Sequence, residues 1–266
     1  MRRSRAATLI IGLVAATGAV LIEAAPAYAA PGDRYVALGD SYSSGVGAGS
    51  YIASSGSCNR STNAYPALWA AAHSPAAYAS VACSGATTTS VINSQLSALS
   101  SSTTLVSISA GGNDVGFSSI METCALQGTD ACVNAVQQAE NKVQSTLPGL
   151  LNTLYNAISA HARNARVVVL DYPVFYQLGT VCIGLSATSH AKIDEGINMV
   201  DGVLRTAASQ HGFRFADVRS IFVGHQLCSG DKWLHALNFA DLGVSYHPTA
   251  DGQSRGYLPV FTTTAG

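Results

Sequence analysis

Tyr35-Val36-Ala37-Leu38-Gly39-Asp40-Ser41-Tyr42-Ser43 is an apolar run that stops on a glycine, an aspartate and a serine. Apolar residues bounded in this way read as a short buried β-strand. A strand ending on Gly39-Asp40-Ser41 leaves a serine hydroxyl at the carboxyl end of a sheet, where open α/β folds bind their ligands. Alone, the tripeptide is ordinary turn composition. Its meaning depends on what the rest of the chain sets beside it.

Downstream, residues 43–57 are rich in glycine and serine and predict a surface loop. Residues 66–73 predict an alanine-rich helix with Pro66 in its first turn. Residues 77–81 predict a second strand, poor in β-branched side chains, ending at Cys83-Ser84-Gly85-Ala86, and residues 88–99 a modest helix. Residues 104–110 form a clearer strand that runs into Gly111-Gly112-Asn113-Asp114. Apolar residues at three- and four-residue steps predict the longest helical stretch over 131–163, broken near Pro148. Residues 166–171 read as a fully buried strand, 189–210 as an amphipathic helix, and 213–218 as a last short strand. An irregular segment runs to Ser245, and His247-Pro248 opens a final helix with proline at its start. Strands alternating with helices predict an α/β fold, a three-layer α/β/α sandwich around a parallel sheet. No internal repeat or second boundary interrupts it, so residues 30–266 are expected to form a single domain.

Residues 1–29 stand outside that pattern. Arg2, Arg3 and Arg5 precede a nearly uncharged apolar stretch, and Ala27-Tyr28-Ala29 offers small residues where a signal peptidase reads. That is the order of a secretory signal peptide, and Glu23 and Pro26 interrupt it before it reaches a comfortable spanning length. Cleavage after Ala29 predicts an extracellular chain of 237 residues with a net charge of −3. Its length suffices for one core without metals or partners. Charged residues make up 11% of the chain, against about 25% in ordinary soluble proteins. A mildly acidic chain of this kind has no electrostatic footprint for nucleic acid or anionic lipid. All six cysteines, Cys58, Cys83, Cys124, Cys132, Cys182 and Cys228, follow the leader, and an even count in an exported chain predicts disulfides. Sequential pairing, 58–83, 124–132 and 182–228, is the expected connectivity. Close Cys-x-x-Cys pairs are missing, so no metal site and no cofactor are expected.

Ser41, Gly85 and Asn113 follow neighbouring strands of that sheet, and so share one crevice although about 70 residues separate the first from the last. His247 precedes the last helix. Ester hydrolysis needs a nucleophile, a base to take its proton, and donors aimed at the oxyanion. Ser41, His247, and the Ser41 N–H, Gly85 N–H and Asn113 side-chain amide would supply all three.

In order, Gly39-Asp40-Ser41, the lone Gly85, Gly111-x-Asn113-Asp114 and His247 match the four blocks of the SGNH superfamily, also called GDSL lipases and esterases. The resemblance covers nearly all of residues 30–266 and is closest to the secreted bacterial lipases, phospholipases and esterases. It implies a five-stranded parallel sheet in flavodoxin-like order, 2-1-3-4-5. It also implies Ser41 as nucleophile, His247 as base, and Gly85 with Asn113 completing the oxyanion hole. Two positions depart from the family pattern. Tyr42 stands where leucine is usual, and the block that normally reads Asp-x-x-His reads Val244-Ser245-Tyr246-His247. The usual triad acid is therefore absent. A backbone carbonyl from Ser245 or Val244 would accept the imidazole proton in its place. Weaker support for the imidazolium implies a working range from neutral into alkaline pH.

Two further readings stay open. Ser107-Ile108-Ser109-Ala110-Gly111 nearly matches the Gly-x-Ser-x-Gly elbow of α/β-hydrolases, with Asp171 and His247 following in the right chain order. A secreted, non-catalytic binding module for carbohydrate or another surface would share the cysteines and neutral surface. Asp114 and the other six histidines read as structural or solvated. For substrate, Tyr42, Phe117, Tyr172, Pro173, Tyr176, Leu242 and Tyr246 are candidates to line an acyl pocket. An apolar groove favours lipid esters, phospholipid acyl esters included, over short-chain esters or polysaccharide acetates. The expected partners are the ester substrate and, transiently, lipid aggregates, with the protein a monomer.

Overall fold

Five short apolar runs become the strands of one parallel sheet: β1 (Arg34–Gly39), β2 (Ala77–Ser80), β3 (Leu105–Ser109), β4 (Arg166–Leu170) and β5 (Arg214–Ala216). The structure, a computed structural model, describes residues 32–266; the leader expected over 1–29 lies outside the described residues. The strand order is β2-β1-β3-β4-β5, as the resemblance implies. β1, β3 and β4 lie inside the sheet and are almost wholly buried, which is why they read as continuous apolar runs without alternation. β2 is an edge strand with half-exposed side chains, and needs no branched residues to fill a core.

The helical elements, in chain order, are α1 (Ser41–Ser44), α2 (Tyr65–His73), α3 (Thr88–Ser94), α4 (Gly112–Val115), α5 (Phe117–Ser145), α6 (Leu147–His161), α7 (Ala187–Gln210) and α8 (Leu258–Ala265). On one face α2 and α8 close over the sheet. Tyr35 of β1 meets Trp69 of α2 edge-on at 5.1 Å between ring centres and stacks on Phe261 of α8 at 5.5 Å. On the other face α3, α6 and α7 form the layer, and α5 packs along α7. Three disulfides pair Cys58 with Cys83, Cys124 with Cys132, and Cys182 with Cys228. Among the described residues no helix is long and apolar enough to cross a membrane.

The structure corrects the sequence reading in three places. Ser43, Ser44, Val46 and Ala48, expected in a surface loop, are buried. Their small side chains let the backbone run beneath the turn that carries His247, where a Cβ on Gly47 would come 2.7 Å from the Pro248 carbonyl. The long helix begins at Phe117 rather than near 131. It bends at Gly128, whose φ of 83° is not helical, and the Cys124–Cys132 bridge spans the bend. Finally, Pro248 does not open a helix. It pairs with Leu234 in an antiparallel bridge, and helical backbone starts at Ala250, passing through a wide turn (Gly252–Tyr257) into α8.

Candidate active site

The chain turns sharply after β1 because Gly39 has φ +122°, and a Cβ there would lie 2.4 Å from the Ser109 carbonyl. Gln95 clamps this glycine from both sides, accepting its N–H at 2.8 Å and donating to its carbonyl at 2.9 Å. Asp40 then caps α1, accepting the Tyr42 N–H at 3.0 Å. The same carboxylate accepts the Ser109 hydroxyl at 2.7 Å and the Tyr172 hydroxyl at 2.6 Å, and the Tyr172 oxygen accepts the Gly112 N–H at 3.2 Å. One buried acid thus ties together the carboxyl ends of β1, β3 and β4. Burial raises its pKa to about 6, against the lowering effect of the Tyr172 and Ser109 bonds. Ser41, the first residue of α1, is held on this knot.

His247 comes to Ser41 from the far end of the chain. Its Nε2 lies 2.7 Å from Ser41 Oγ, and its Nδ1 lies 3.0 Å from the Ser245 carbonyl. A carbonyl only accepts, so Nδ1 carries the hydrogen and Nε2 is left as acceptor for the serine hydroxyl. The Val244 carbonyl accepts the His247 backbone N–H instead, at 3.1 Å. No carboxylate bonds the ring among the described residues. The turn is pinned by the His235 N–H, which donates to the His247 carbonyl at 2.9 Å, and the Tyr246 N–H, which donates to the His235 carbonyl at 2.8 Å. Burial lowers the imidazole pKa to about 4. The Ser245 bond opposes that shift, and nearby His235 adds to it.

Candidate donors line the same space. Gly85 (φ +77°) faces open space, and neither its N–H nor that of Ser41 has an acceptor among the described residues. Asn113 Nδ2 donates one hydrogen to the Ala86 carbonyl at 3.0 Å, which leaves its second free. Asp114 accepts the Thr88 N–H at 3.0 Å and its hydroxyl at 2.6 Å, fastening α4 to the start of α3, a structural role matching its sequence reading. Such a set can deprotonate a hydroxyl and offer three N–H groups to a developing oxyanion.

Two cavities meet at Ser41. One is lined mostly by apolar side chains and runs between α5 and α7 past Phe117, Met121, Val136, Val143, Ile193 and Val200. Glu140 is the charged residue on its helix wall, and its carboxylate accepts from Lys192 at 2.7 Å. The second is wider and more polar, contains Gly85, Asn113 and His247, and is rimmed by the exposed Leu126, Phe239 and Leu242. Of the seven residues expected to line an acyl pocket, Tyr42, Phe117 and Tyr172 line the first cavity. Phe117, Leu242 and Tyr246 line the second, and Pro173 and Tyr176 line neither. Most of the apolar wall comes from α5 and α7. Of these, Phe117 is a sequence candidate for the pocket, whereas Val136, Val143, Ile193 and Val200 show in the sequence only as helical periodicity, with nothing to say that they face a cavity.

The competing elbow does not form. Ser109 is fully buried, its hydroxyl bonded to Asp40 and Ser43, and Asp171 bonds the Val218 N–H at 2.8 Å rather than a histidine. One group, Cys182, His190 and Cys228, has spacing a metal could use, but both sulfurs are joined in a disulfide and offer no thiolate.

Residues 37–255 match the model of the GDSL-like lipase/acylhydrolase family. The chain belongs to that family, and it is a carboxylic ester hydrolase. This GDSL hydrolase is 56% identical over 268 residues to Lipase 1 of Streptomyces coelicolor, with 100% of each chain covered. The crystal structure of an extracellular lipase from Streptomyces rimosus shares 52% identity at a TM-score of 0.86, covering 87% of this chain and 99% of that one. A phospholipase A1 from Streptomyces albidoflavus NA297 shares 50% identity at the same TM-score, covering 88% and 99%.

Proposed function

We propose that this GDSL hydrolase is a secreted enzyme that cleaves acyl esters of lipids, phospholipids included, with Ser41 as nucleophile and His247 as base. The apolar cavity that starts at Ser41 and runs between α5 and α7 carries the reading. It suits an alkyl chain and has little to offer a sugar acetate. Names of relatives point the same way, one being a lipase and another a phospholipase A1. In the proposed reaction His247 Nε2 takes the Ser41 proton as Oγ attacks the ester carbonyl. The oxyanion is received by the N–H groups of Ser41 and Gly85 and by Asn113 Nδ2. The alcohol leaves with the proton from His247, and water, activated by the same ring, releases the fatty acid. Exposed Leu126, Phe239 and Leu242 support brief contact with lipid aggregates. Export is supported by the basic-apolar-small pattern before residue 30, the disulfides, and a relative described as extracellular. We take residues 30–266 as one domain and the protein as a monomer.

The test is fatty-acid release from a phosphatidylcholine with different sn-1 and sn-2 chains and from a triacylglycerol. Both lipids are expected to be cut, the sn-1 chain first, and Ser41→Ala to lose at least about a thousandfold in rate. Release confined to short soluble esters would leave a general esterase instead. Full activity in Ser41→Ala would overturn the mechanism.

A further inference from the structure

Tyr246 has φ +65°, a left-handed conformation uncommon for a residue with a bulky side chain, and it sits between Ser245 and His247. That turn brings the Ser245 carbonyl back onto His247 Nδ1 at 3.0 Å. The His235 backbone and the Asn238 N–H on Ser245 Oγ hold one side of this turn, and no carboxylate shares the work. The Tyr42 hydroxyl donates to the Tyr246 carbonyl at 2.8 Å, across 204 residues of sequence. Tyr42 is itself fixed at every edge. Its N–H is on Asp40, its carbonyl accepts from Gln253 Nε2 at 3.0 Å, and its ring meets Tyr172 edge-on at 4.9 Å. Its ring centre is 5.2 Å from that of His247. The two departures from the family pattern, tyrosine after the serine and no acid before the histidine, are therefore joined by one hydrogen bond.

We infer that Tyr42 is a positioning residue: by holding the Tyr246 carbonyl it keeps the Ser245 carbonyl on Nδ1, supplying the orientation that a triad carboxylate would otherwise supply. The inference rests on the proposed roles of Ser41 and His247. A leucine at position 42 would pack against Tyr172 but would leave the Tyr246 carbonyl buried without this donor. Phe175, stacked on the Tyr246 ring at 5.5 Å, and Tyr176, whose hydroxyl is 3.4 Å from that of Tyr246, hold the side chain rather than the carbonyl. The titratable groups facing His247 are His235, on the adjoining segment, and Tyr42 itself.

Tyr42→Phe deletes only the hydroxyl. On a soluble p-nitrophenyl ester, kcat is expected to fall about tenfold or more while KM stays within about twofold, as for other groups that orient a reacting side chain. Loss of an aligned acceptor on Nδ1 also weakens the imidazolium, so the acid limb of kcat/KM should move to lower pH. The Nδ1–H proton resonance should shift upfield and broaden. Tyr176→Phe is the matched control and should change none of the three. Rates are normalised to sites titrated with a fluorophosphonate, which removes any loss through misfolding, and Tyr42→Leu repeats the test should Tyr42→Phe yield too little folded protein. Unchanged kcat in the titrated variant, an unmoved acid limb, or an equal loss in Tyr176→Phe would overturn the inference. A Ser41→Ala enzyme that stays active would instead overturn the reading beneath it.

Discussion

At the scale of single residues, the proposed base His247 would decide how the enzyme meets acid. The neutral-to-alkaline range expected from a ring with only a carbonyl behind it has the wrong sign, because the missing carboxylate and burial both disfavour the imidazolium and so extend the neutral form to lower pH. With its pKa lowered to about 4, the base stays neutral well below pH 6. The acid limb of kcat/KM on a soluble ester should therefore fall between about pH 4 and 5, with full activity at pH 6, and a midpoint above 6 would contradict this assignment. The proposed catalytic and oxyanion residues Ser41, Gly85, Asn113 and His247 can be picked out in the sequence because the proposed chemistry dictates their residue types and each lies beside a recognisable strand or helix end. The work of Tyr42 and Ser109 is not legible. Each depends on a partner, at Tyr246 and Asp40 respectively, that only the folded chain brings close.

At the scale of elements, sheet order and strand positions follow from continuous apolar runs, and the turn glycines mark where each strand stops. The substrate-binding part of the fold is harder to read. α5 starts fourteen residues before the periodic stretch that announces it, because residues 117–130 are polar enough to hide their period and Gly128 interrupts it. Those residues bring Phe117, Ile120 and Met121 to the apolar cavity. The cavity depends on how closely α5 and α7 approach. A Cβ on Gly196 of α7 would already lie 3.0 Å from Val136 of α5. Val200→Phe, which adds a ring between these helices, should lower kcat/KM on long-chain esters at least about tenfold and leave acetate or butyrate esters within about twofold. A chain-length series of p-nitrophenyl esters measures this. Equal losses at every length would place the acyl chain elsewhere.

For the whole molecule, stability should depend on pH through its buried acids. Burial pushes the Asp194 carboxyl up to about 7, against the lowering bonds from the Tyr176 and Phe175 N–H groups. Asp171 and Asp201 are also raised by burial, which outweighs Arg219 at 3.5 and 3.8 Å. An acid whose folded pKa exceeds its unfolded value of about 4 keeps a proton that the unfolded chain releases. Its contribution is thus present at low pH and lost as pH rises through the folded value. His247 has the opposite sign, contributing above its unfolded value of 6.5 and losing that contribution as pH falls toward 4. Above pH 6.5 the lowered imidazoles of His247 and His190 add only the last, small part of their change, and the acids set the slope. The calorimetric Tm should therefore fall by a few degrees between about pH 6.5 and 8.5, and Asp194→Asn should flatten the slope. A Tm that holds or rises over that interval would contradict the assignment.

The meeting of two unequal cavities at one serine has a last consequence. In the proposed reaction, an acyl chain lodged in the apolar cavity leaves the ester carbonyl on Ser41 beside the wider, more polar one. Water would then approach from the side on which the alcohol leaves. A small alcohol on that side would meet the same carbonyl beside the same proposed base. In wet alcohol this enzyme would trade one ester for another, with the split between acid and new ester set by how crowded that side is with each nucleophile.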